Sequence, residues 1–212
     1  MNNKVKALLM ACCAVLLVFA SVIGTLAYLT ATDSVQNTFT VGKVDIKLHE
    51  TKVNADGTVE KDQITEKGNE GIRIVPAKEI TKDPTVTVLA QSEDCYIRVL
   101  ATVSFTGTTQ AKDKQADVTA MFTGIANTGW TYVGVTETDG SLTYEYRYNT
   151  KVAYNNDDQE LDPAFKSITM PSNWTPADLE GIKGMNIDIV AHAIQSEGFA
   201  DANEAWDAFP TT

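Results

Sequence analysis

The chain has 212 residues and a formal net charge of −11, with 17 Lys and Arg set against 28 Asp and Glu. Phosphate binding depends on neutralisation by basic groups, so this balance excludes nucleic acid as a first choice of partner. The length suits one domain with a substantial core and is too short for two comfortable ones.

Lys4 and Lys6 precede an uncharged run, residues 7–27, that gives way at once to the polar stretch 28–37. This is the layout of an export signal, and the small residues of Thr25-Leu26-Ala27 predict cleavage between Ala27 and Tyr28. A retained membrane anchor is the competing reading, because the run is close to the about 20 residues that cross a bilayer. Leu9-Met10-Ala11-Cys12 does not make a lipoprotein site, since most of the apolar core follows Cys12. Cleavage removes two lysines and no acid, taking the formal charge to −13, and removes Cys12 and Cys13. Cys95 then stands alone, and no disulfide within the mature chain is possible.

After the junction, Val35, Asn37, Phe39 and Val41 fall on odd positions, whereas Val44, Ile46 and Leu48 fall on even ones. A regular strand cannot place both sets on one face, so the apolar face flips across Gly42-Lys43. Either Gly42 is a bulge within one edge strand, or residues 28–41 form a segment with a destination of their own. The polar, charged, glycine-bearing stretch 54–71 is expected to be a loop.

From there on, period-two patterning dominates. Val86 and Val88 alternate with Thr85 and Thr87, and Cys95, Ile97, Val99, Ala101, Val103 and Phe105 share one face of a longer strand. On that face Cys95 is read as a small buried hydrophobe, not a nucleophile. Residues 130–135 and the run Leu142, Tyr144, Tyr146, Tyr148 flank Asp139-Gly140, a pair suited to a tight hairpin turn. A further strand is predicted over residues 185–195, with Met185, Ile187, Ile189 and Ala191 on one face. Helical signal is confined to residues 117–122, to a turn opening at Thr175-Pro176-Ala177-Asp178, and to Ala202, Ala205, Trp206 and Phe209 with Asp201 as cap. Together these patterns predict an all-β antiparallel sandwich with a short C-terminal helix, preceded by a signal-peptide helix: residues 1–27 signal, 28–41 amino-terminal strand, 42–212 one sandwich domain.

Two chemical possibilities accompany the strands. Asp157, Asp158, Glu160 and Asp162 gather oxygen ligands of the kind calcium prefers, but their spacing is not that of an EF-hand loop and a solvated turn accounts for them, so no metal or other cofactor is expected. His49 and His192 are the only histidines and no H-E-x-x-H pair exists, which leaves a zinc protease without its usual ligands. His192 and Asp188 are expected on a solvated strand face.

The junction Gly24-Thr25-Leu26-Ala27-Tyr28-Leu29-Thr30, followed by Asn37-Thr38-Phe39-Thr40-Val41-Gly42-Lys43-Val44-Asp45-Ile46, resembles the exported TasA/camelysin family of Gram-positive bacteria. Asp94-Cys95-Tyr96-Ile97-Arg98-Val99 and Ala191-His192-Ala193-Ile194-Gln195-Ser196-Glu197-Gly198-Phe199, with Glu204-Ala205-Trp206, resemble a clostridial branch of it. The resemblance implies a jelly-roll-like sandwich, processing by a SipW-type signal peptidase, and a secreted biofilm-matrix protein without catalytic residues. It further implies fibres built by passing the strand Tyr28, Leu29, Val35, Asn37, Phe39, Val41 to the next subunit, with Gly42 as the hinge. Partners would be other copies of the chain and an accessory matrix subunit. A monomeric surface-binding or fibre-accessory protein of the same fold is the alternative, and a camelysin-like metalloprotease a more distant one.

Overall fold

The longer alternating sequence patterns become antiparallel strands. A computed structural model of the chain describes residues 2–6, 10, 13, 15, 16 and 43–209. The cleavage pair Ala27 and Tyr28, the strand residues Leu29, Val35, Asn37, Phe39 and Val41, and Gly42 lie outside the described residues. In the amino-terminal unit Asn3–Lys6 are helical, and among the described residues no helix is long and apolar enough to cross a membrane.

In the second unit ten strands follow in order: β1 (Ile46–Val53), β2 (Val59–Thr65), β3 (Glu79–Thr81), β4 (Thr85–Val88), β5 (Cys95–Phe105), β6 (Trp130–Thr138), β7 (Ser141–Tyr148), β8 (Gln159–Glu160), β9 (Ser167–Thr169) and β10 (Met185–Gln195). One sheet has the order β2-β1-β4-β8, a second β10-β5-β7-β6, and β3 and β9 pair separately. Every pairing is antiparallel.

The β6–β7 hairpin turns at Asp139 and Gly140, with φ of 48° and 79°. Successive left-handed residues match the twist of the flanking strands, and glycine adopts that backbone without a Cβ penalty. On β5 every inward residue from Cys95 to Val103 is fully buried, and on β7 so are Leu142, Tyr144 and Tyr146. Val86 and Val88 of β4 join the same core, with Val44, Ile46 and Leu48 packed against it, so residues of both four-stranded sheets share one apolar interior.

Among the described residues of the second unit, three α-helices fall on the stretches where the sequence shows helical signal. α1 (Gln115–Phe122) follows a 3-10 turn at Ala111–Lys114 and sends Phe122 into the core, stacked 4.6 Å from the Tyr144 ring. α2 (Pro176–Ile182) opens with a reciprocal capping box between Thr175 and Asp178. α3 (Ala202–Asp207) is capped by Asp201, whose carboxylate accepts the N–H groups of Asn203 and Glu204.

The expected loop over 54–71 is corrected: its middle is β2, in a hairpin with β1. Its side chains are mostly exposed and charged, so no apolar alternation marks it. The strand forms because β1 offers a ladder, and Asn54–Thr58 closes the turn through Asn54 N–H to the Thr58 carbonyl and Gly57 N–H to the Asn54 carbonyl.

Candidate strand-acceptor site

Strand edges decide what a β protein can add to itself, and three of the four edges of the two larger sheets are blunted. β8 is two residues long. β2 carries Glu60, Lys61 and Asp62 in succession, with Asp62 at φ 59°. β6 is bulged between Tyr132 and Gly134. Short length, charge and bulges are the devices that stop edges from pairing. β10, by contrast, runs eleven residues in unbroken register with β5 and contains no Pro, Gly or Lys. Among the described residues no strand pairs with its other side.

Beside the first half of that free edge lies a cleft of about 660 Å³ whose apolar lining includes Ile72, Ile74, Ile80, Met170, Met185 and Ile187. It is followed along β10 by a more polar recess of about 240 Å³, at the level of Ile187 to Ile189, lined by Leu48, Glu50, Asn69, Lys82 and Asp188 among others. Asn69 fixes the outer wall of the recess where the β1–β2 ladder is interrupted between Thr51 and Val53. Its Oδ1 accepts the Val53 N–H (2.7 Å) and its Nδ2 donates to the Thr51 carbonyl (2.8 Å).

At the base of the recess Glu50 and Lys82 form a desolvated ion pair, 3% and 8% exposed. Lys82 Nζ lies 2.8 Å from Oε1 and 2.9 Å from Oε2 of Glu50. The ammonium thus bridges both carboxylate oxygens. This pair was not anticipated from the sequence, although a signal exists. Glu50 is the next even position after Val44, Ile46 and Leu48, which puts a carboxylate on the inward face of an apolar strand.

The other predicted residues are brought to separate places. Asp158 Oδ1 accepts the Ala90 N–H (2.8 Å), the Asp162 carbonyl accepts Trp130 Nε1–H (2.8 Å), and Glu160 lies 3.8 Å from His49 Nε2. The Asp157 backbone N–H reaches only the neighbouring Asn155 side chain, at 3.3 Å. Among the described residues no three His, Cys, Asp or Glu side chains converge to hold a metal ion. Cys95 is fully buried, and burial, with the Asp94 charge adding to it, pushes its thiol up to about 11.

His192 is not on a solvated face, which corrects the expectation. It sits half-buried against Phe209, just after α3, with ring centroids 4.7 Å apart, and its Nδ1 accepts the Arg98 Nε–H at 3.2 Å. The Arg98 guanidinium lies 4.6 Å and 4.7 Å from the Trp206 and Phe209 ring centroids, with Glu145 3.7 Å away. Desolvation, and then the Arg98 charge, hold the His192 pKa below its ordinary value. Asp188 bonds Asn186 instead of His192. The C-terminal helix was legible in the sequence. That it clamps Arg98 was not, because the partners come from strands distant along the chain.

No family model, curated protein or solved structure matches the chain. What the site can do rests on its own geometry: it offers main-chain groups along β10 and, beside them, a cleft in which apolar side chains are joined by Arg73, Lys82 and Lys183, and strand addition uses both main-chain ladders and side-chain pockets.

Proposed function

We propose that this chain is an exported structural subunit that assembles outside the cell into fibres, each copy adding residues 28–41 as a strand to the β10 edge of the next. The observation that carries the reading is the long unblunted β10 edge flanked by a cleft that Ile72, Ile74, Met185 and Ile187 help to line. The two sheets around one core suit a jelly-roll-like sandwich completed by a strand from outside. The junction around Ala27-Tyr28 supports processing by a SipW-type signal peptidase, and Val5, Met10, Val15 and Leu16 leave apolar side chains exposed in the segment to be removed. A head-to-tail contact of this kind does not close on itself and propagates into a filament. Cleavage then also controls assembly, since the donor end exists only after export.

Negative-stain electron microscopy of untagged protein beginning at Tyr28, beside a version beginning at Thr40, tests the proposal. Filaments from the longer form alone are expected. Monodisperse particles from both forms would overturn fibre formation in favour of a monomeric or accessory surface protein, and filaments from both would overturn the role of the amino-terminal strand.

A further inference from the structure

The cleft beside β10 has a buried aliphatic floor and exposed cations at its mouth, and the two together select a kind of occupant. The floor is the β3–β9 pair, where Ile80 lies opposite Ile168 in register and both are almost fully buried, as is Met170 just beyond β9. Ile72, Ile74 and Leu179 add further aliphatic surface, and among the described residues that line the cleft there is no aromatic ring.

Arg73 and Lys183 line it as well, and both are exposed, which puts them at the mouth. Neither takes part in an ion pair among the described residues. Lys82, the third cation, is bridged to Glu50, and Glu70 is the one carboxylate among the described lining residues. With Lys82 neutralised, Arg73 and Lys183 outweigh Glu70 by a single positive charge, in a chain whose acids outnumber its bases. Lys183 also follows α2 with φ of 52°, a left-handed backbone that favours glycine, although Gly184 is the very next residue. Non-glycine residues held in that region cluster at ligand clamps and active sites.

We infer that the cleft binds a monoanionic amphiphile, an unbranched aliphatic chain ending in a carboxylate, with the tail over Ile80, Ile168 and Met170 and the carboxylate held at the mouth by Arg73 and Lys183. The volume of about 660 Å³ is that of a small-molecule site, in which an apolar lining supplies contact area and a few polar groups fix orientation. A lining of Ile, Leu and Met offers no ring for an aromatic ligand to stack on, so it suits a flexible hydrocarbon tail. The planar fork of an arginine matches a carboxylate bidentately, and one excess positive charge suits a monoanion better than the dianion of a phosphate monoester. Repulsion from the acidic remainder of the surface is screened beyond about 8 Å at physiological ionic strength, so the local cations decide. The site holds whether or not β10 accepts a strand.

Methionine methyl NMR reads the cleft directly. Met1 and Met10 leave with residues 1–27; of the remaining methionines, Met170 and Met185 line the cleft, whereas Met121, buried on α1, does not. Protein beginning at Tyr28, labelled at its methionine methyl groups and kept below the concentration at which filaments form, is titrated with decanoate below its micelle-forming concentration. Saturable shifts of Met170 and Met185, with Met121 unmoved, are expected. Decan-1-ol and acetate, which keep only the tail and only the headgroup, should each bind at least about tenfold more weakly than decanoate. Combining Arg73→Gln with Lys183→Gln should weaken decanoate by about tenfold and leave decan-1-ol unchanged. Both substituted side chains are exposed, so the double variant does not threaten the fold.

Absence of saturable shifts, a Met121 shift as large as the other two, equal affinity for decan-1-ol, or undiminished decanoate binding by the double variant would overturn the site. Each of those results leaves fibre formation standing, because filaments of the Tyr28 form are scored separately by electron microscopy.

Discussion

Replacing Lys82 by Met tests the buried ion pair of the candidate site. The substitution keeps the length and apolar stem of the side chain but leaves the Glu50 carboxylate, 3% exposed, without the ammonium that now sits 2.8 Å and 2.9 Å from its two oxygens. Breaking a buried pair by removing one partner costs about 3–5 kcal/mol, because an uncompensated charge remains. For a domain of this size each kcal/mol shifts Tm by roughly 2–4 °C, so the variant should melt roughly 6–20 °C lower. The double variant Glu50→Leu, Lys82→Met removes both charges and substitutes apolar side chains of similar volume, and should recover most or all of that loss. Thermal denaturation followed by circular dichroism at neutral pH distinguishes the cases. A single variant that melts within about 2 °C of the parent, or a double variant as unstable as the single, would refute the reasoning.

Three further outcomes follow from the same structure. Because the folded pKa of His192 lies below its unfolded value of about 6.5, the fold favours neutral imidazole; its contribution is complete above that value and is lost as pH falls through the folded pKa. Melting between pH 7 and 5 should therefore fall less steeply in His192→Gln, which keeps an acceptor for Arg98 and does not titrate, and parallel slopes would remove His192 from the account. Tyr146→Phe should cost about 1–3 kcal/mol in a denaturant titration, since the buried Tyr146 hydroxyl donates to the Phe122 carbonyl at the end of α1, and an unchanged midpoint would mean that this carbonyl finds another donor. Cys95 should resist a thiol reagent in the native protein at pH 8 and react fully in denaturant, as its burial and raised pKa dictate; rapid native labelling would contradict its placement.

How much was legible in the sequence varied with the physical source of each feature. β4, β5, β7, β10 and the β6–β7 hairpin announce themselves because one face is buried and the other wet, which writes a period of two into the chain. Capping chemistry is equally local, and Thr175 and Asp201 mark their helices for that reason. β2 escaped notice because an exposed edge strand buries almost nothing, so pairing, not burial, holds it in place. β3, β8 and β9 are two or three residues long, below the length at which a pattern exists. The Glu50–Lys82 pair and the Arg98 clamp depend on partners 32 and 94 residues apart, a separation that only the fold closes.

The ion pair also bears on why the candidate site has its particular chemistry. An apolar pair in place of Glu50 and Lys82 would leave the monomer as stable or more so, so stability alone does not account for two desolvated charges beneath a strand edge. Apolar walls by themselves accept a strand in several registers, because Val35, Phe39 and Val41 are interchangeable against Ile and Met side chains and each shift of two residues restores the same face. A single buried polar group breaks that degeneracy, as a lone asparagine does in a coiled-coil seam, by making every register but one leave a hydrogen bond unmade. On the proposed fibre the distinction would matter more than in a monomer: a register error at one contact would move the next subunit by about 7 Å along the edge. In the fibre proposed above, the cost of burying Glu50 and Lys82 would be offset at the level of the assembly, by disfavouring strands whose apolar side chains fall over the pair.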